Sequence, residues 1–414
     1  MFRICIMMII IALTFPTLTL VNASMDNSHV KAAFIREGNL WTLIDHKEKQ
    51  ITKSGKVYGS PQWSHDGKYL LYQKETSSEF QNSKTQSEIW VYQITSGEKR
   101  KIYYDGHAPK WAPDQNIISF QSDGVLNVSD LDRFYNAAMG VYGYTWLPDG
   151  SGFLLASRAD LLPDGWTNPK LYKKTFKKPY SEMTLMEAVE DFFTIPKEIE
   201  VDNHTIMSIN ARHFTFSPSG KWISFIVSPT ASLSMDSNAL AVISSDGEKF
   251  TGLDELILGV GLPKWAPTKD IIAYIAGGGR LVAGFKDKDL KVKEMPVSGS
   301  LTPENYAELD FTWVDNESLI TARIQEKEWS NDFSKHPLPS LYAIHIINNK
   351  QTKITNPPED FGDYDPQYIK SVDKLVWLRG KSLTDNDKNL WLAESDGSDA
   401  EKWLQNVETI AFYE

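Results

Sequence analysis

Ahead of a series of spaced aromatic residues, this chain places side chains that can exchange protons or grip anions. His107 stands before Trp111, Arg212 and His213 before Phe216, Asp310 before Trp313, and Asp363 and Asp365 before Tyr368. A second set, Arg158, Arg323 and Arg379, closes the apolar run that follows an aromatic, where Arg36 and Lys74 hold the corresponding places. A guanidinium fork matches a carboxylate, whether on a protein or on an acidic sugar. A histidine among carboxylates supplies a base and an acid for proton transfer. Trp166 in LPDGWTNP and Trp329 in EKEWSNDFSKHPLP sit in long polar segments, where an indole can anchor a partner or stack on a sugar. The competing reading for the arginines is structural: each pairs with a nearby carboxylate and holds the fold. For the tryptophans it is packing against their own loops.

Other chemistries lack the residues to carry them. The sequence holds no G-x-S-x-G nucleophile elbow, so a fused serine hydrolase domain is not expected. It holds no P-loop or dinucleotide fingerprint. The eight histidines include no H-x-x-x-H or H-E-x-x-H pair, although His107, His213 and the acids near Asp365 could in principle assemble a metal site. Asp385, Asp387 and Asn389 alternate like calcium ligands, but Leu390 stands where such a loop needs glycine, so a solvated turn is expected. The single cysteine, Cys5, lies in an N-terminal apolar run, which leaves the remainder without a thiol nucleophile or a disulfide. No cofactor and no metal are expected.

The aromatics mark a repeat. PQWSHDGKYLLY, PKWAPDQNIISF, YTWLPDGSGFLLA, FTFSPSGKWISFI, PKWAPTKDIIAYI, FTWVDNESLITAR and PQYIKSVDKLVWL are anchored on Trp63, Trp111, Trp146, Phe216, Trp265, Trp313 and Tyr368. Each reads as a hairpin: an aromatic, a polar turn such as Ser217-Pro218-Ser219-Gly220, and an apolar return strand. An alternating segment follows, from GNLWTLI at Gly38 to KNLWLAES at Lys388, and then a short outer strand. Four strands in about 48 residues make a propeller blade. The fold class is therefore all-β, a single β-propeller over residues 30–414, with residues 24–29 as a short linker. Eight blades are expected, with VETIAFYE (Val407 to Glu414) supplying the innermost strand of the N-terminal blade. Seven remains open, because Val125 to Gly140 is weakly patterned. The longest gap, between Trp146 and Phe216, carries a capping-box pattern (Thr184, Glu187) that predicts a helical insertion near 181–193. In such a blade the residues before each aromatic and after each second strand share one face, so the two charged sets converge on one mouth.

The turn pattern in SPSGKW (Ser217 to Trp222) and WLPDG (Trp146 to Gly150) resembles the WD40-like repeat of TolB-type propellers, and the likeness covers nearly all of the chain after the N-terminal run. The resemblance implies the propeller fold and a role in binding proteins of the cell envelope.

Arg3, the apolar run Ile4 to Val21 and the small residues around Ala23 read as a signal peptide over 1–23, with a retained membrane anchor as the alternative. Secretion or another extracytoplasmic location, periplasm or cell surface, is expected, with no integral membrane domain once the signal is removed. A net charge of −11 argues against nucleic acid as a partner. The expectation drawn from these features is a monomeric, non-catalytic exported propeller that binds a protein or cell-envelope polymer through its loop-rich mouth. The alternative is a propeller enzyme, a lyase or hydrolase of an acidic carbohydrate.

Overall fold

Alternating apolar and polar residues build eight four-stranded antiparallel sheets, and the chain winds through them in order. The computed structural model describes residues 30–77, 85–185, 187–201, 204–279, 284–295, 297–328, 330, 332 and 335–413. Blade 1 combines Thr409–Phe412 with Lys31–Arg36, Asn39–Ile44 and Lys47–Gln50. The innermost strands of blades 2 to 8 are Val57–Trp63, His107–Trp111, Gly143–Trp146, Asn210–Phe216, Lys264–Trp265, Tyr306–Trp313 and Gly362–Ile369. The eight-bladed count and the closure by the C-terminal strand both hold: Ala32 to Ile35 pair antiparallel with Phe412 to Thr409.

The second strand of most blades drives one large side chain into the layer between neighbouring sheets. Phe34, Phe120, Phe153, Phe225, Tyr274 and Trp377 are all essentially inaccessible. Burying one such side chain contributes roughly 1.5–3 kcal/mol. The anchor tryptophans add a directional link from blade to blade. The indole Nε1 of Trp63 donates to Ala411 O (3.1 Å), Trp111 to Gln62 O (3.1 Å), Trp265 to Thr215 O (3.3 Å) and Trp313 to Lys264 O (3.2 Å). Gln62, Thr215 and Lys264 each lie one residue before the anchor of the preceding blade, and Ala411 lies in the innermost strand of blade 1. Trp146 is the exception, since its buried Nε1 has no partner. The turns are linked too, by Asn116 Nδ2 to Asp66 (2.9 Å), Ser219 Oγ to Asp270 (2.6 Å) and Asn316 Nδ2 to Thr268 (2.7 Å). The polar turn residues of the repeat therefore serve the ring as well as the hairpin.

The long gap before Phe216 is filled by strands instead of a helix. Residues near 181–193 form a one-turn 3-10 segment, Tyr180–Glu182, and the outer strand of blade 4, Val189–Thr194. The Thr184 to Glu187 side-chain bond exists (3.5 Å), but Glu187 also pairs with Lys178, and Phe193 packs against Phe250 as a strand residue. Sheet pairing with Lys170–Thr175 outweighs the local capping signal. Two small hairpins complete the gap: Leu161–Leu162 with Gly165–Trp166, and Glu198–Val201 with His204–Met207. No helix among the described residues is long and apolar enough to cross a membrane. The signal-like segment 1–23 lies outside the described residues.

Candidate functional site

The innermost strands do not run regularly to the mouth. In blades 2, 3, 5, 7 and 8 the pairing slips just before the anchor, at Tyr58/Gln62, His107/Lys110, Arg212/Thr215, Glu308/Asp310 and Tyr364/Gln367. Ala108, His213 and Asp365, each three residues before an anchor, take positive φ of 47°, 57° and 47°. A bulge re-aims the side chain it carries. A non-glycine residue held at positive φ is strained, and such strain concentrates at functional sites. Here it turns His213 and Asp365 toward one shared space.

That space is a cavity of about 690 Å³ running from blade 5 across to Glu408 of blade 1. Arg212, His213, Lys264, Asp310, Tyr364, Asp365 and Lys388 line it. Asp365 and Asp310 line the same cavity as close electrostatic neighbours, and Asp365 also accepts from Gln367 Nε2 (3.1 Å). Burial, then the neighbouring Asp310 charge, pushes the Asp365 carboxyl up to about 6, with Lys264 and Gln367 opposing. Asp310 Oδ1 accepts from the Lys264 ammonium (3.2 Å) and from the Phe311 amide (2.7 Å), so it is the member of the pair equipped to carry negative charge. His213 remains reachable by water, yet protein surrounds it. That burial, with Arg212 and Lys110 nearby, pulls its imidazole down to about 4, so it is neutral at ordinary pH. Arg212 has a buried Nε with no partner. Lys388 is already committed to the carbonyls of Leu383 and Asp385. One cavity thus holds a proton donor, a carboxylate and an uncommitted cation.

Four of the residues singled out in the sequence, Arg212, His213, Asp310 and Asp365, come together here. Three do not. Arg323 is 3% exposed and bound to Glu308 (2.7 Å), and Arg379 grips Asp363 through Nε (2.6 Å) and Nη2 (3.0 Å), with Trp377 Nε1 also on Asp363 (2.9 Å). The structural reading wins for Arg323, Asp363 and Arg379: pairing within their own blades leaves no fork for a ligand. His107 is exposed at the mouth but outside the cavity lining, and Arg158 and Trp166 belong to a different part of the mouth. Trp329 lies outside the described residues. Sequence reasoning missed Lys264 and Lys110, although both stand in the PKW repeats immediately before an anchor.

Lys110 shows what that position does elsewhere. Its Nζ donates to Tyr144 O of the next blade (2.9 Å) and lies 5.1 Å from the Tyr144 ring centroid, and burial pulls the ammonium down to about 8. The folded state therefore binds fewer protons than the unfolded chain between about pH 8 and the ordinary value of 10.5. Stability should rise with pH through that window and carry the full penalty below it, roughly 3 kcal/mol for a shift of this size. Lys110→Met removes the charge but also the bond to Tyr144, so a net gain of about 1–2 kcal/mol at pH 7 is expected. Denaturant titrations at pH 7 and pH 10 check this. A variant less stable at pH 7, with the pH 8–10.5 rise intact, would refute it.

No protein-family profile matches the chain. A curated relative, an uncharacterized peptidase YuxL of Bacillus subtilis, is 24% identical over 193 residues, covering 40% of this chain and 28% of that protein. Dipeptidyl peptidase 4 of Porphyromonas gingivalis superposes with a TM-score of 0.54 at 9% identity, over 92% of this chain and 58% of that one. A puromycin-hydrolyzing peptidase of Mycobacterium tuberculosis superposes at 0.50 and 10% identity, over 84% and 53%. At such identities the superpositions speak for the fold alone. The chain spans less than a third of the curated relative and little more than half of the two structures. The match by sequence corrects the expectation of a non-catalytic binding module, since that relative is a peptidase; the superpositions add only the propeller fold.

Proposed function

We propose that the chain is a hydrolase of peptide-type substrates, with the Asp310–Asp365 pair as its acid and base. The observation that carries this reading is the pair of neighbouring carboxyls lining one cavity, one member pushed up to about 6. Two carboxyl groups so placed share one proton, which equips one to donate and the other to accept. Asp310, charged and braced by Lys264, takes a proton from water as its oxygen attacks the amide carbonyl. The tetrahedral oxyanion meets the Arg212 guanidinium, with neutral His213 beside it as a hydrogen-bond donor. Asp365 then gives its proton to the amide nitrogen, the C–N bond breaks, and the proton gained by Asp310 passes to Asp365 to restore the pair. The peptidase relative supports the substrate class, and the acidic-carbohydrate alternative has no comparable support.

The protonated form of Asp365 is the active one, so turnover should fall about tenfold per pH unit above about 6. A panel of fluorogenic aminoacyl and dipeptidyl amides, assayed with wild type, Asp365→Asn and Asp310→Asn purified in parallel, tests the proposal. Each substitution is expected to lower kcat by about a thousandfold, on the scale of losing a general acid or base, with KM little changed. Equal rates in all three preparations, or a wild-type rate that rises above pH 6, would overturn it. The signal-like residues 1–23 support export, which N-terminal sequencing of the mature chain checks. The repeat shared with TolB-type propellers supports kinship at the level of the blade.

A further inference from the structure

Near the end of a blade's second strand a cation stands at five places, and four of the five are satisfied inside their own blade. Arg36 pairs with Glu48 (2.6 Å), Lys74 with Glu88 (3.7 Å), Arg323 with Glu308 (2.7 Å) and Arg379 with Asp363 (2.6 Å). Arg158 breaks the pattern. Among the described residues no carboxylate or carbonyl accepts from its guanidinium, which instead lies over the Tyr142 ring, 6.0 Å from its centroid.

Arg158 and Tyr142 edge a cavity of about 580 Å³ between blades 3 and 4. The wall behind them is apolar, formed by Met139, Val141, Leu155, Tyr172, Leu185 and Val189. Close by, the hairpin carrying Trp166 holds Leu161 and Leu162 out to solvent, 66% and 48% exposed. A largely apolar recess of this volume with a few polar groups at its edge, here Arg158, Ser157 and Asp160, is how small-ligand sites are built. The missing half of the ion pair is an anion, and a charge-assisted, forked bond to carboxylate is the match for a guanidinium. Asp160 on the same wall disfavours a second negative charge on whatever enters.

We infer that this cavity is a second binding site, separate from the Asp310–Asp365 centre, which takes an apolar monocarboxylate with its carboxylate on Arg158. The ligand chemistry is shared by the free C-terminal hydrophobic residue of a peptide and by a medium-chain fatty acid. The site does not rest on the hydrolytic reading.

Calorimetric titration of the full chain with N-acetylphenylalanine, octanoate and N-acetylphenylalanine amide tests the inference. Both carboxylates are expected to bind wild type, the amide at least tenfold more weakly, and the tighter of the two carboxylates identifies the source. Arg158→Gln, at an exposed position that leaves the fold intact, should weaken both carboxylates at least tenfold and leave the amide unchanged. Asp365→Asn should bind all three as wild type does, so this site can stand even where hydrolysis fails. No binding by wild type, equal binding of acid and amide, or full affinity in Arg158→Gln would overturn the inference.

Discussion

A chain ending at Asn406 is expected to lose its cooperative fold. The deleted segment supplies the innermost strand of blade 1, with Ala32 to Ile35 left unpaired along one edge. It also removes Val407 and Ile410, both buried, at roughly 1.5–3 kcal/mol each. Trp63 loses its acceptor, Ala411 O, and its ring partner Tyr413 at 5.7 Å. Ser60 loses Thr409 (2.9 Å). Whole domains hold only about 5–15 kcal/mol in reserve, so these losses together consume most or all of it. The open edge of Lys31–Arg36 would then face solvent, which invites aggregation. Near-ultraviolet circular dichroism and size-exclusion chromatography should show a chain without fixed packing, and adding a peptide of residues 405–413 should restore part of the signal. An unfolding midpoint equal to that of the full chain would show that the ring does not depend on this strand.

The second large effect is expected at Arg323. Its pairing with Glu308 is fully enclosed, and three further bonds hold the pair: Arg323 Nη1 to Gln351 (2.6 Å), Thr321 Oγ1 to Glu308 Oε2 (2.8 Å) and Thr302 Oγ1 to Glu308 Oε1 (3.2 Å), while Arg323 Nη2 is buried without a partner. Burial pushes the Glu308 carboxyl up, and Arg323 is the chief opposing influence. Arg323→Met leaves that carboxylate buried without its cation, which costs about 3–5 kcal/mol. Replacing both, Glu308→Leu with Arg323→Met, should recover much of the loss, because neither charge then has to be desolvated. Urea unfolding of the two variants checks this. A double variant less stable than the single one would show that the hydroxyls of Thr302 and Thr321 depend on the carboxylate more than the carboxylate depends on the arginine.

The contrast between these arginines and Arg212 explains how far the sequence could be read. The blades were legible because a Trp or Phe, a polar turn and an apolar strand recur with one spacing, and each of those residues acts within its own repeat or on the next. The closing role of Val407 to Glu414 was legible for the same reason, since one strand was missing at one end and one was spare at the other. The site was legible only in part. Position in the repeat brought Arg212, His213, Asp310 and Asp365 to one mouth, but it assigned Arg323 and Arg379 to that mouth as well. What separates them is the residue opposite in the sheet: Glu308 faces Arg323 and Asp363 faces Arg379, whereas Gly143 begins the innermost strand opposite Ala156, near Arg158. That depends on register, and the register slips next to these residues. The bulges also set His213 and Asp365 at positive φ, which no pattern of residue types announced. The helix near 181–193 failed differently, because a capping signal is local and the outer edge of blade 4 offered Val189–Thr194 a complete ladder.

The strand that closes the ring also sets an order of events. Trp63 and Ala411 are 348 residues apart, yet each completes the other's environment. Blades 2 to 8 can form as neighbours emerge, each from contacts within its own stretch of chain, whereas blade 1 must keep an exposed edge at Lys31–Arg36 until Thr409–Phe412 has been made. Closing so long a loop is slow, and the waiting chain is a template for pairing with another copy. Synthesis and folding are therefore coupled at a single late step, and the yield of folded protein should depend on how long that first blade is sheltered.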